Sequence, residues 1–519
     1  MSKIIVKNTC IKIADYEFGS YPNLEKYFMM YNPTTHQYYY EGLYYDKKEK
    51  VLYLPRGIDV YFVEKCLETS AIVERNMSDE YDTYDDIYLK ALPRDDIQKE
   101  ALRFTIGKAE YKDTAYKSQL QVNLHTGKGK TYIAIATSAY LGLKSIIITS
   151  QSSWLTQWID RIKAYTNVTD KEIYNIKGTG CIYRLMNKSP EELRKIKYFT
   201  VTHSTLKNYG DNKGWSSITE LFKYLKIGIK FYDEAHLNFD NMLMIDYYTN
   251  TYKTYYITAT ALRSNEFENN IYQLAFKNVL AIDLFDPEND PHTEYLSILY
   301  NSKPTPQQIS SCKNQYGLDR NKYTNLIVTN DNFYMLLEIL LDIIEQHVGI
   351  YEKCLMYIGT NNAIAEVYNW IVENHPEFYN NIGIYTSMVS EEDKQIALTK
   401  RLILSTTKSA GAAVDIYGLK MTVVLAEPFK SEVLTRQTLG RTRANNTMYI
   451  EVVDKGFNQI KRYYNYKKPI FAKYATECTE VEICDLELIN RYNRIMEKKE
   501  KNKVCKHSDF YSPLYHKYD

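Results

Sequence analysis

Thr126, Gly127, Lys128, Gly129, Lys130 and Thr131 form a glycine-punctuated run. It follows the apolar segment Gln121–Leu124 and opens a stretch of helical length. Glycines let a backbone curl so that its N–H groups point at phosphate oxygens, and the helix start that follows adds partial positive charge. In such a loop Lys130 would reach the β and γ phosphates of a nucleotide, and Thr131 would offer its hydroxyl to Mg²⁺. The eight-residue form of this pattern wants Gly where the chain has Leu124. A plain Gly-rich strand-to-helix turn is the alternative reading.

About a hundred residues on, the apolar run Lys226–Tyr232 delivers Asp233-Glu-Ala-His236 at its end. Open α/β sheets bind ligands at the carboxyl ends of their strands. There Asp233 would hold Mg²⁺ and Glu234 would orient and polarise an attacking water, the metal-plus-base pairing that phosphoryl transfer uses. Thr258-Ala-Thr260 closes another strand-like run. Further on comes Gln437-Thr-Leu-Gly-Arg441-Thr-Arg443. Lys far outnumbers Arg in this chain, so Arg436, Arg441 and Arg443 in one short stretch carry information. Guanidinium groups aimed at a γ phosphate stabilise developing charge; a solvated basic helix is the competing reading.

The elements that must position these residues alternate. Short β-rich runs occur at Gln121–Leu124, Ser145–Thr149, Tyr198–Thr202, Gly228–Tyr232 and Thr254–Thr258. A second set follows at Lys353–Ile358, Asn381–Tyr385, Arg401–Ser405, Met421–Ala426 and Tyr449–Val453. Helical-length segments such as Lys130–Tyr140 and Asn362–Asn374 separate them, which predicts βα units and a mainly parallel sheet, twice. The expected divisions are a small N-terminal α+β domain over 1–90 and a first α/β domain over 91–285. A proline-marked linker over 286–324, a second α/β domain over 325–460 and a basic C-terminal extension over 461–519 complete them. In the first region Gln37–Tyr45 and Lys50–Leu54 read as a hairpin around Asp46-Lys-Lys-Glu49; near the C-terminus Leu486–Lys503 reads as a charged helix.

With 65 basic and 64 acidic residues, bulk charge is not the means of holding nucleic acid, although a local basic groove remains open. No apolar run approaches membrane-spanning length. The eight cysteines are scattered without a Cys-x-x-Cys pair, as expected of a reducing, cytoplasmic protein. The abundance of Tyr, Lys, Asn and Ile is the bias an A/T-rich genome imposes, as in many phages and viruses.

Together these motifs, over residues 92 to about 455, resemble the superfamily 2 helicases and translocases of the DEAD/DEAH-box type, nearest to their viral, UvsW-type and XPB-like branch. The resemblance implies two tandem RecA-like domains with ATP and Mg²⁺ held between them and a nucleic-acid strand across their top. It implies an adenine contact for Gln98 and a nucleic-acid backbone contact for the segment Ser150 to Trp158, which includes Gln157. Thr202 is similar to a further strand-binding motif, Cys354–Thr360 to another, and Ser405 to Asp415, with Thr406, to one linking nucleic acid to ATP. Asp415 and Gln437 would serve nucleotide binding, and Arg441 and Arg443 would be fingers. Ala413 replaces a usual Gly, Arg443 stands one residue early with Ala444 in the usual place, and Ala261 replaces a frequent Pro.

The expected activity is ATP-dependent translocation or unwinding, with DNA favoured, in replication, recombination or repair. An RNA- or transcription-complex-remodelling motor is the alternative. A non-catalytic binding protein and a restriction-type motor subunit are further readings; the first is opposed by the presence of Lys130, Thr131, Asp233 and Glu234, the second by the lack of a paired acidic-Lys nuclease motif in either flank. Tyr38-Tyr-Tyr40 and Tyr44-Tyr45, near Lys47, Lys48 and Lys50, could stack bases and hold phosphates, or serve as packing. Lys461-Arg-Tyr-Tyr-Asn-Tyr-Lys-Lys468 invites the same pair of readings.

Overall fold

The computed structural model describes all residues except 1, 33–34, 71, 74–77, 125–127, 259–265, 285–292, 316, 411–415, 440–446 and 505–519. The chain divides into two compact units, Met1–Asp286 and Pro287–Asp519.

In the first unit seven strands form one sheet: β1 (Gln119–Asn123), β2 (Ser145–Thr149), β3 (Ile173–Ile176), β4 (Tyr198–Thr202), β5 (Ile229–Asp233), β6 (Lys253–Thr258) and β7 (Leu280–Asp283). Their spatial order is β3-β4-β2-β5-β6-β1-β7, and every neighbouring pair is parallel. All residues of β1, β2, β4, β5 and β6 are buried, as in a parallel sheet covered on both faces. That double burial is why these strands read as apolar runs. The strands missing from the sequence reading, β3 and β7, are four-residue edge strands interrupted by polar or acidic residues.

A five-stranded sheet precedes this one. Lys3–Val6, Cys10–Ala14, Val51–Pro55 and Tyr44–Asp46 pair antiparallel, and Ile72–Val73 adds in parallel to Lys3–Val6. Half of the expected hairpin forms, with Tyr44 opposite Tyr53 and Asp46 opposite Val51. Gln37–Tyr40 leaves it and pairs with Met29–Asn32 instead. Gly42 makes the break: its φ of +71° is left-handed backbone that a glycine takes readily. This sheet is bonded to the α/β part of its unit, Asn8 N–H donating to Asn250 Oδ1 at 3.0 Å and Asn8 Nδ2 to the Thr251 carbonyl at 3.2 Å.

The second unit repeats the plan. Its strands are β8 (Thr293–Tyr300), β9 (Lys353–Ile358), β10 (Ile382–Tyr385), β11 (Leu402–Ser405), β12 (Leu419–Ala426), β13 (Thr447–Asp454) and β14 (Glu477–Glu482). The order β10-β11-β9-β12-β13-β8-β14 is all parallel and matches the first sheet strand for strand. Each unit therefore has the architecture of a RecA-like domain.

Two sequence expectations are corrected here. The segment 286–324 is not a bare linker, because β8 lies inside it and pairs along its whole length with β13. Two of its prolines mark a strand-to-helix turn: Pro306 stands at the first position of the helix Pro306–Ser311, whose Thr305–Gln308 capping box closes the N-terminus. Nor is 461–519 a loose basic extension, since β14 adds an edge strand to the sheet; its largely exposed, Glu-rich sequence left no apolar run to read. Lys467 is buried in an ion pair with Glu451, and Lys468 pairs with Glu480 at 2.5 Å, so the four cations of 461–468 do not form one free basic face. The expected charged helix is present as Asp485–Val504.

Candidate active site

The helix Lys130–Leu141 starts directly after Gly129, whose φ is +87°. The left-handed backbone favours glycine there, and a Cβ would stand 2.1 Å from Gln98 Nε2 and push that side chain from its place. Gln98 is 4% exposed, and both ends of its amide are engaged: Oε1 accepts from the Arg94 N–H at 2.8 Å and Nε2 donates to the Lys128 carbonyl at 3.3 Å. An adenine would compete with these backbone groups for the amide.

Strand β5 brings the acidic residues to the same place. Lys130 Nζ lies 3.1 Å from Glu234 Oε1, with side-chain exposures of 11% and 7%. Glu234 holds a left-handed φ of +49°, a conformation costly enough that the surroundings must impose it. They do so with two backbone bonds: Leu237 N–H donates to the Glu234 carbonyl at 2.7 Å, and Ala235 N–H to the Ile257 carbonyl of β6 at 2.9 Å. The sharp turn returns His236 toward the sheet, where Nδ1 meets Thr258 Oγ1 at 2.8 Å and Glu234 Oε2 at 3.4 Å. The Asp-Glu-Ala-His run is thereby joined to the Thr-Ala-Thr run through one side-chain contact.

Asp233 is buried, and its Oδ2 accepts the indole N–H of Trp158 at 2.8 Å. Burial, and after it the adjacent Glu234 carboxylate, push Asp233 up to about 6, while the Trp158 N–H and the Lys130 charge act against that rise. The donors of this site are a carboxylate, the nearby hydroxyl-bearing Thr131 and an ammonium at a helix N-terminus. The oxygens of Asp233 and Thr131 suit a hard cation, and the Lys130 ammonium at the helix start suits the phosphate that would accompany it. Among the described residues no group of three or more His, Cys, Asp or Glu side chains is gathered as a metal cage, so a cation here would share its ligands with the phosphates.

Lys130, Glu234 and His236 are thus joined beside Asp233, Gln98 is bonded to Lys128, and Gly129 and Thr131 flank Lys130 in the chain. Thr126 and Gly127 lie outside the described residues, as do Asp415, Arg441 and Arg443; Gln437 belongs to the helix Glu432–Leu439, its side chain outside the description. The expected strand-binding residues fare unevenly. Ser150 follows β2 with its buried hydroxyl unpartnered, and Gln157 is half-buried on the helix Ser152–Tyr165. Trp158 corrects the expectation: it is 3% exposed and cannot lie against a nucleic-acid backbone, because its indole fills the core and bonds Asp233. Thr202 is also buried, and its hydroxyl caps the helix His203–Lys213 by accepting from Thr205 N–H at 3.2 Å. Thr360 and Thr406 are caps as well, accepting from Ala363 and Ser409 N–H groups at 3.2 and 3.0 Å.

Sequence reasoning missed Glu427. It stands just beyond β12, nearly buried, and accepts from both the backbone N–H, at 2.8 Å, and the hydroxyl of Thr407, within the 405–415 segment. Burial raises its carboxyl above the usual range. A lone acid before Pro428 at a strand end was the available signal.

Residues 92–263 match the family profile described as Type III restriction enzyme, res subunit. No curated protein matches the chain. Among solved structures, S. cerevisiae Dbp5 bound to RNA and ADP BeF3 is similar at 13% identity over 78% of this chain and 93% of that one, with a TM-score of 0.50. A point variant of the same yeast protein in the same complex gives 15%, 79%, 93% and 0.51. T4 UvsW covers 92% of this chain and 99% of its own at 15% identity, with a TM-score of 0.35. At these identities the Dbp5 likeness is one of fold. The profile match thus lies within the first unit, and the likeness to the yeast protein extends over two RecA-like domains as a likeness of fold.

Proposed function

We propose that this chain hydrolyses ATP with Mg²⁺ and uses it to translocate along or unwind nucleic acid, with DNA the favoured substrate. The observation that carries the reading is the Lys130–Glu234 ion pair beside the buried, indole-bonded Asp233. A bound nucleotide gives Lys130 phosphate oxygens in place of Glu234. Glu234, released, can orient a water for in-line attack on the γ phosphorus and receive its proton. Mg²⁺, held by Thr131 and Asp233, would neutralise charge on the phosphates. Arg441, with Arg443, is proposed to stabilise the transferred phosphoryl group, and Asp415 and Gln437 to assist nucleotide binding. ATPase rates with single-stranded, duplex and branched DNA and with RNA test the proposal. Stimulation by DNA above RNA is expected, equal or greater stimulation by RNA reverses the ranking toward an RNA or transcription-complex motor, and no stimulated hydrolysis with any of them overturns the function. The RNA alternative keeps its place because the yeast neighbour is bound to RNA.

The first 90 residues are proposed to contact the strand. In the ribbon Met29–Asn32/Gln37–Tyr40, Met29 faces Tyr40 and Tyr31 faces Tyr38, so these four share one face. Tyr38 is 67% and Tyr31 45% exposed, their rings 5.3 Å apart, and Phe18 meets Tyr40 edge-on at 5.0 Å. The opposite face is different: Met30 and Tyr39 pack on the core, and Tyr44, from the neighbouring strand, packs there too. Rings two residues apart along a strand lie about 6.6–6.8 Å from one another, a spacing at which an extended single strand can lay successive bases. Replacing both Tyr31 and Tyr38 by Ala is expected to weaken single-stranded DNA binding about tenfold or more while sparing unstimulated ATPase activity. Unchanged affinity in a fluorescence-anisotropy titration would refute that role.

A further inference from the structure

Trp158 belongs by sequence to a segment expected to touch nucleic acid, yet its indole is sealed in the core and bonded to the residue proposed to hold the metal. We infer that Trp158 is the positioning residue for Asp233: its N–H fixes the carboxylate so that one oxygen is committed and the other stays available to Mg²⁺. The inference rests on the proposed nucleotide function.

Three observations carry it. The bond is short, 2.8 Å from Nε1 to Oδ2, and joins residues separated by 75 positions, so it is a feature of the tertiary fold rather than of a local turn. Both partners are buried, Trp158 at 3% and Asp233 at 6% exposure, so water does not compete for either. The indole cannot swing away, since it shares a core cluster with Ile147 of β2, Phe231 of β5 and Ile162 of its own helix. A carboxylate has acceptor sites on both oxygens; without the indole Asp233 would keep only the adjacent Glu234 backbone N–H as a donor and would be freer to turn toward the Lys130 charge. The indole opposes that turn. Partners that orient a metal ligand are commonly worth ten- to a hundredfold in metal affinity. There is a second consequence. Gln157, the half-buried neighbour of Trp158 on the same helix, is a candidate strand contact, so the helix that would feel nucleic acid also holds the carboxylate that would feel Mg²⁺.

The test is Trp158→Phe in the full chain, which keeps an aromatic ring and deletes the N–H. Thermal stabilisation by a fixed ATP concentration is followed as Mg²⁺ is titrated, and again in EDTA. The inference expects the Mg²⁺ midpoint to rise roughly tenfold or more, with the metal-free ATP response unchanged. A variant that only melts earlier, with the same Mg²⁺ midpoint, gives Trp158 a purely structural role and overturns the inference. Should the variant not fold, wild-type protein labelled with 5-fluorotryptophan answers instead. Of its four tryptophan ¹⁹F resonances, the one retained in each of Trp154→Phe, Trp215→Phe and Trp370→Phe must shift when Mg²⁺ is added to the ATP complex, and its immobility overturns the inference. Wild-type protein that shows no stabilisation by Mg²⁺ and ATP overturns the proposed function and this inference together; a responding wild type with an unaltered variant overturns the inference alone.

Discussion

Lys130→Ala is expected to lower the proposed ATP turnover by roughly a hundredfold to a thousandfold, the usual cost of removing one charged group aimed at a transferring phosphoryl. Two effects add. The phosphates lose their ammonium partner, and the Glu234 carboxylate, 7% exposed, loses the cation 3.1 Å away. The second effect reaches Asp233, because the Lys130 charge is among the groups holding down a carboxyl that burial and Glu234 have raised to about 6. Without Lys130 the site is therefore expected to hold phosphate less well and to leave Asp233 easier to protonate. Glu234→Gln separates the two. It keeps the shape, removes the like charge beside Asp233 and leaves Lys130 for the phosphates, so nucleotide binding survives while turnover falls on the same scale. Phosphate release and fluorescent-nucleotide titration on both variants make the comparison; turnover within tenfold of wild type in either would remove that residue from the mechanism.

Asp246→Ala destabilises the protein by about 3–5 kcal/mol, the range for stranding one member of a buried ion pair. Lys230, 0% exposed in mid-β5, donates to Asp246 Oδ1 at 2.5 Å and to Thr249 Oγ1 at 2.6 Å. Burial pulls the Lys230 ammonium below its usual range, and Asp246 resists that pull. The same carboxylate also accepts from the Tyr232 hydroxyl at 2.8 Å and the Tyr256 hydroxyl at 2.5 Å. Its loss leaves three donors without their acceptor inside an apolar layer. Asp246→Asn, which keeps an acceptor oxygen, loses less, and Lys230→Met combined with Asp246→Leu recovers much of the deficit because a well-packed apolar pair removes the stranded charge. Denaturant midpoints of the full-length variants order these cases; an Asp246→Ala midpoint equal to wild type would show that the network adds nothing. Tyr232 immediately precedes Asp233, so this network also steadies the strand end on which the proposed chemistry depends.

The local parts of the site were legible in the residues. Gly129 before Lys130 marks a backbone turn that needs no distant partner, and Asp233-Glu-Ala-His236 ends a strand whose apolar run is the direct imprint of burial on both faces. The ten strands expected from such runs all occur, with ends differing by one or two residues in most cases. The missing ones were those without the imprint: β3 and β7 at the edges, Glu-rich β14, and β8, hidden among prolines that read as linker. Caps share positions with expected contacts. Thr202, Thr360 and Thr406 lie in segments that resemble strand-binding motifs, and each hydroxyl also satisfies a helix N-terminus, a requirement present whether or not nucleic acid binds.

By itself, then, the sequence determined the residue types on offer and the two-sheet α/β architecture, because a glycine-punctuated run before a helix, a strand-end acid pair and doubly buried strands are each written within a few consecutive residues. The tertiary structure decided the partners. Parallel order places β2 and its following helix beside β5, and that is what gives Asp233 the Trp158 indole, as the folding of helix onto sheet gives Lys128 the Gln98 amide and Lys467 the Glu451 carboxylate. Such pairings join residues far apart in the chain, and periodicity, which reports only which face a residue takes, holds no record of which distant side chain will meet it there.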